Sequence, residues 1–402
     1  MTKFIVFLTL GFWLTQCRTI EPSSEKEALP SEERTFLSNL NVYDKTYAHL
    51  PLKAEHKGAL WNGYYWPYSQ GSIKAKPFGA SESPFAKIKK IYYMRHMKEA
   101  FDSQFEPWLD RVINFNKEES WSGICTGVAK ASFSVKVPTV PVTLDGVTFY
   151  PHEIKALFAL FFNFTENKSY IAGERAEWQD DVLDDTGRPR APATRDTNPG
   201  TFHIAMTELL SRQVPFFVDV SNREPVLNFP VKKFEVLSSL PLTDKAKIES
   251  LRNFNRDAVS WMQVKARLTM ADSHRVILEV PGRNYDYVQE YDYILELDGE
   301  GKIIGGEWQG ESQMQHPDLI ATGQFMESEW QKKDLTGPGG KVLLPQFGAF
   351  LDELMKAPPS SEKMSELKEE NPDYNLGFKL VGEVLPKDAK ILNQVEQAHA
   401  TH

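Results

Sequence analysis

A single cysteine outside the extreme amino terminus, Cys125, sits in Trp121-Ser-Gly-Ile-Cys125-Thr-Gly-Val-Ala-Lys-Ala-Ser132, a small-residue turn running into a helical pattern. Helix N-termini carry unpaired N–H groups and a partial positive charge, which favour a thiolate and can bind an oxyanion, so this thiol is a candidate nucleophile. Two further residues complete a constellation. His203 follows in Asn198-Pro-Gly-Thr-Phe-His203, and Asp219 lies in the apolar run Pro215-Phe-Phe-Val-Asp219-Val. The order Cys, His, Asp, with 78 and then 16 residues between them, suits a papain-like or transglutaminase-like triad: sulfur as nucleophile, imidazole as acid and base, carboxylate to hold the ring. Each member also has a plainer reading. Cys125 can be a small buried hydrophobe, His203 a satisfied structural histidine, and Asp219 the cap or closure of a strand.

Elements must position these groups, and the chain is long enough to supply them. Its 402 residues are 41% hydrophobic and 25% charged, near the globular average. A net charge of −9 without a sustained Lys/Arg cluster excludes a nucleic-acid surface; Lys87-Ile-Lys-Lys90 is too short and reads as a solvated face. The start, with Lys3 ahead of a short apolar stretch ending Leu14-Thr-Gln-Cys17, reads as an export signal. Leu14–Cys17 resembles a lipobox, with Cys17 as the lipidation site, although Gln16 replaces the usual small residue. The expectation is therefore an exported chain, a cell-envelope lipoprotein or otherwise secreted, that meets a membrane only through its signal or lipid anchor. One cysteine would then remain, so no internal disulfide can form, and a lone thiol in an oxidising compartment is either inert or kept for chemistry.

Residues 1–17 form the signal and lipobox, and 18–40, rich in Glu, Ser and Pro, form a flexible tether. The catalytic region is expected over 41–345, with its core at about 95–240, a β-rich extension at about 255–320, and a helical, polar tail at 346–402. The aromatic segment Leu60–Gly71 reads as a loop packing its rings on the core, or an exposed patch. Residues 95–117 suit an amphipathic helix. Val135–Phe149 reads as a hairpin about Asp145-Gly146, and a helix starts at Pro151, with His152 as a surface residue at its start or a catalytic base. Asp180, Asp181, Asp184 and Asp185 lie in a loop that can be merely solvated or can offer oxygens to calcium. Alternation over Val226–Val236, Ala258–Val280 and Tyr287–Ile304 predicts an antiparallel sheet. The fold class is α+β: a papain/transglutaminase-like cysteine core, nucleophile at a helix N-terminus, His and Asp on an antiparallel sheet, and an added β-rich region.

Six segments from Trp61 to Asp318, in this order, resemble the transglutaminase elicitor family of secreted oomycete enzymes and bacterial homologues. They are Trp61–Pro67, Gly123–Ser132, Gly146–Phe149 leading to Ile154–Leu157, Asn198–His203, Val226–Val236, and Leu295–Asp298 with Ile303–Trp308 and His316–Asp318. Leu227 and Val128 stand where the family has Trp. The resemblance implies protein-glutamine γ-glutamyltransferase activity, an acyltransferase reaction through a Cys125 thioester, with protein or peptide glutamine as donor and a primary amine as acceptor. It further implies His203 as acid and base and Asp219, or alternatively Asn228, as the orienting residue. Trp121 or the Cys125 N–H would bind the oxyanion. No cofactor is certain, calcium being the one considered. A cysteine protease or glutamine deamidase with the same triad, and a non-enzymatic envelope binding protein, are the competing readings.

Overall fold

The computed structural model describes residues 43–361 except 77–79, 120, 166–168, 174–196, 221–227, 254, 273–285, 314 and 324–329. The signal, lipobox and tether, the Asp180–Asp185 loop and most of the polar tail lie outside the described residues.

The sheet is antiparallel and curled. Strand β1 spans Lys53–Glu55, and a separate hairpin pairs β2 (Val142–Leu144) with β3 (Val147–Phe149). Asp145 (φ 50°) and Gly146 (φ 74°) form the two-residue, left-handed turn that suits such a hairpin, as the sequence suggests. The strands β4 (Ser169–Ala172), β5 (Phe216–Asp219), β6 (Asn228–Pro241), β7 (Ser260–Ala271), β8 (Asp286–Leu297), β9 (Ile303–Trp308) and β10 (Ile320–Gly323) run in the order β4-β10-β5-β6-β7-β8-β9, with β1 added on β6. The register of β6 against β7 shifts between Val231 and Lys233 and again between Val236 and Ser238. Such irregularities bend a strand and raise its twist. Short strands β11 (Leu335–Thr336) and β12 (Val342–Leu344) pair near the carboxyl end.

Seven helices of eight or more residues accompany this sheet among the described residues: α1 (Pro84–Met94), α2 (Glu106–Asn116), α3 (Cys125–Ser134), α4 (Pro151–Phe164), α5 (Pro199–Ser211), α6 (Lys245–Arg252) and α7 (Phe347–Lys356). The amphipathic pattern at 95–117 is met by a helical run in which a π segment, Phe101–Phe105, leads into α2. Helix α1 was not legible in that pattern. Ser83 caps it by accepting from the Ala86 N–H at 3.2 Å.

Two cores lie on opposite faces of the sheet. Helix α5 covers one face, where Phe202, Ala205 and Leu209 join Phe216, Val218 and Phe229. On the other face, Ala129 and Phe133 of α3 meet Phe217 of β5 and Ala321 of β10. Alternation along β5 accounts for the division: Phe216 and Val218 point to α5, and Phe217 to α3. Behind α3 lies a helical core of α1, α2, α4 and α7, rich in Phe. The helix at the start of the helical, polar stretch expected over 346–402 is α7, and its Phe347, Phe350, Leu351 and Leu354 are buried in that core. The short apolar stripe of α7 carries large side chains, and their burial outweighs the polarity of the adjoining residues.

The reading of His152 as a surface residue is corrected. Far from being a surface residue, it is 7% exposed and stacks on Tyr150 at 6.0 Å. Burial, with Lys87 and Lys155 nearby, lowers its pKa to about 3, so it stays neutral.

Candidate active site

Cys125 is the first residue of α3, preceded by Ile124 in a non-helical conformation. The approach of helix to helix is set by Gly127: a Cβ there would lie 1.9 Å from the Ala159 carbonyl oxygen of α4. The Gly127 N–H instead donates to Asn163 Oδ1 at 3.1 Å. Glycine permits this close packing, and α4 thereby fixes the height of the first turn of α3.

The sulfur faces the start of β6. Asn228 Nδ2 donates to Cys125 Sγ at 3.3 Å and to Thr126 Oγ1 at 3.0 Å. Asp219 pairs with Asn228 across β5 and β6, and it is fully buried. Asp219 shares the alternation of Phe217, the residue that meets α3. Its carboxylate acts on the thiol through space. Cys125, Asp219 and Asn228 are thus brought together.

His203 is not brought to them. Its Nδ1 lies 2.7 Å from the Tyr293 hydroxyl, and its ring packs 5.6 Å from both Tyr47 and Phe234. These partners belong to the core on the α5 face, whereas Cys125 stands on the α3 face. Burial lowers the His203 pKa to about 3 with no charged partner contributing. Among the described residues, no histidine makes a hydrogen bond to the Cys125 sulfur. A helix-borne histidine and a strand-borne carboxylate look adjacent along the chain, but the sheet comes between them.

Electrostatics at the sulfur also differ from the expectation of a lowered pKa. Burial pushes the Cys125 thiol up, Asn228 hydrogen bonds oppose this, the Asp219 charge adds to it, and the Thr126 N–H lowers it slightly. At 7% exposure, desolvation outweighs the helix terminus, so the resting group is a thiol. The Cys125 N–H points from the first helical position and makes no hydrogen bond among the described residues.

The aromatic segment forms the remaining wall, consistent with its rings packing on the core. The Ile124 N–H donates to the Tyr65 carbonyl at 2.7 Å, and the Tyr68 N–H to the Ser122 carbonyl at 2.8 Å. Gly123 admits this contact, since a Cβ there would meet the Tyr65 oxygen at 2.4 Å. Trp66 is 2% exposed with φ at +48°, a left-handed backbone that is unusual for so bulky a residue. Lys155 Nζ ties the segment to α4 through the Asn62 carbonyl at 2.7 Å, and Trp61 Nε1 ties it to the end of α3 through the Val135 carbonyl at 2.8 Å. Trp121 is half-buried in the turn before the nucleophile. Sequence reasoning singled out Tyr64–Trp66 only as a ring cluster; its adjacency to Gly123 is a tertiary contact with no local signal.

A family model described as transglutaminase elicitor matches residues 118–329, just over half of the chain. The chain belongs to the transglutaminase elicitor family. The crystal structure of the GP42 transglutaminase from Phytophthora sojae is similar, with a TM-score of 0.60 and 24% sequence identity, covering 82% of this chain and 98% of that one. At that identity the likeness establishes the fold. A comparison with curated proteins gives no match. Among the described residues no helix is long and apolar enough to cross a membrane, and no group of three or more His, Cys, Asp or Glu residues is arranged to hold a metal ion.

Proposed function

We propose that this protein is a protein-glutamine γ-glutamyltransferase whose nucleophile is Cys125. The observation that carries the reading is the Cys125 thiol at the start of α3, bonded by Asn228 and faced by Asp219, within a transglutaminase elicitor chain. The sulfur attacks the side-chain carboxamide of a peptide glutamine. A C–S bond forms, the C–N bond breaks, and the thiol proton leaves with ammonia. A primary amine then attacks the thioester, which retains enough acyl-transfer potential for an amine to compete with water in a site shielded from solvent.

Asn228 and Asp219 have distinct roles in this reading. The Asn228 carboxamide donates to the sulfur and stabilises negative charge as it develops, while Asp219 disfavours the thiolate at rest. The thiol therefore stays protonated and buried in the resting protein. His203 acts as a structural residue that supports Tyr293.

Incubation with a glutamine-containing peptide and a fluorescent amine tests the assignment. The expected result is amine incorporation with stoichiometric ammonia release, both lost in Cys125→Ala. Ammonia release without incorporation would reassign the protein as a deamidase, and full activity in Cys125→Ala would remove the thioester altogether. Export, with Cys17 as the lipidated residue, is part of the same proposal, and mass spectrometry of the mature amino terminus checks it.

A further inference from the structure

Asn228 is the first residue of β6, so the strand sets where its side chain begins but not how its carboxamide is turned. The last torsion of an asparagine is broad, and backbone conformation alone does not fix it. A second contact is needed to hold the amide against the sulfur, and α3 supplies it. Thr126 is the second residue of that helix, and helical side chains lean back toward the amino end, here toward the strand end that Cys125 also faces. Asn228 Nδ2 donates to Thr126 Oγ1 at 3.0 Å and to Cys125 Sγ at 3.3 Å. A primary amide nitrogen carries two hydrogens, so the hydroxyl oxygen and the sulfur can take one each. A quarter-turn of the amide out of this plane gives up both bonds together. Asn228 is 6% exposed, and water is poorly placed to replace an acceptor lost there.

We propose that Thr126 is a positioning residue for the acyl-transfer reaction: its hydroxyl oxygen holds the Asn228 carboxamide in the plane that keeps an N–H directed at the Cys125 sulfur. This rests on the acyl-transfer reading for what the sulfur does, and on the two hydrogen bonds for how it is held. Sulfur carries negative charge twice in that cycle, once as it attacks the carboxamide and again as the amine expels it from the thioester. The directed N–H stabilises the charge on both occasions, and a hydrogen bond to a charged group is stronger than one to a neutral group. Thr126 itself touches neither substrate nor reacting atoms in this scheme and acts through Asn228. The ionisable groups that act on the sulfur are Asp219 of β5 and the phenols of Tyr65 and Tyr68 in the aromatic segment. Burial raises both phenols above the usual range, so they stay neutral while the thiol titrates.

Thr126→Val keeps the branched shape and removes the acceptor, whereas Thr126→Ser keeps the acceptor and removes a methyl group. Both are made in the full chain and again in the Asn228→Ala background, and two quantities are measured: the pH midpoint of iodoacetamide alkylation, and kcat/KM for a glutamine peptide with a fluorescent amine. Thr126→Val should raise the midpoint by a few tenths of a pH unit to about one, and lower kcat/KM roughly 2- to 10-fold, the scale of one neutral hydrogen bond. Thr126→Ser should bring both back toward the wild-type values. Once Asn228 is alanine, Thr126→Val should add nothing to either quantity, because the group it positions is gone. An unmoved midpoint in Thr126→Val would overturn the proposal, as would an equal loss in Thr126→Ser, which marks packing by the methyl group. Additive effects in the double variant would overturn it too, since Thr126 would then act without Asn228. If the wild-type chain transfers no glutamine but the midpoint still depends on Thr126 only when Asn228 is present, the positioning role stands and the γ-glutamyltransferase reading falls.

Discussion

At the scale of single residues, the sulfur of Cys125 is governed by opposing influences of similar reach. Burial and the Asp219 charge hold its pKa up, and Asn228 pulls it down. Alkylation by iodoacetamide should accordingly rise through an apparent pKa above the ~8.5 of a free thiol. Asn228→Ala should move that midpoint higher. A hydrogen bond to a charged group contributes about 1.5–3 kcal/mol, so turnover in this variant should fall roughly 10- to 100-fold. An unchanged labelling profile would show that the 3.3 Å contact carries no charge stabilisation.

Elements position that sulfur through contacts tight enough to fail when one atom is added. Gly127→Ala places a methyl against the Ala159 backbone carbonyl. Overpacking of this kind costs about 1–3 kcal/mol, more than the roughly 1 kcal/mol of helix propensity that alanine gains over glycine. A lower urea midpoint, with slower turnover as α3 shifts on α4, is the expected outcome. The start of α4 offers a second case. Glu153 Oε2 accepts from Lys87 Nζ of α1 at 2.7 Å and from the Tyr150 N–H at 2.8 Å, and both side chains are nearly excluded from solvent. Lys87→Met leaves a buried carboxylate without its cation and should cost about 3–5 kcal/mol in chemical denaturation. Replacing both residues by Met should cost less than Lys87→Met alone, and additivity of the two single losses would contradict a coupled pair.

For the whole molecule, two of the buried histidines, His152 and His203, link stability to pH. His152 and His203 ordinarily titrate at 6.5, and both are pushed down to about 3 in the fold. The unfolded chain therefore binds protons that the folded chain refuses. Their contribution is fully present above pH 6.5 and is lost as pH falls from 6.5 toward 3. His203→Gln preserves a polar partner for Tyr293 but removes one titration. Its thermal midpoint should fall less steeply than that of the wild type across this window. Because His203 lies on the α5 face, folded His203→Gln should also keep its turnover; loss of turnover at an unchanged midpoint would place the imidazole in the chemistry after all.

The alternation of β6 to β9, the Asp145-Gly146 turn, the helix after Pro151 and the small-residue run at Cys125 were all legible in the chain, because period, turn chemistry and the φ demands of glycine act over a few residues. The nearness of Asp219 and Asn228 was not, because it comes from the register in which β5 and β6 pair. Sequence order alone could not say which face of the sheet a residue takes. That is decided when α3 and α5 bury their apolar stripes on opposite sides, which puts Cys125 with Asp219 and Asn228 and sends His203 to Tyr293. The raised pKa of the Cys125 thiol likewise arises from burial, a property of the packed whole rather than of any local run.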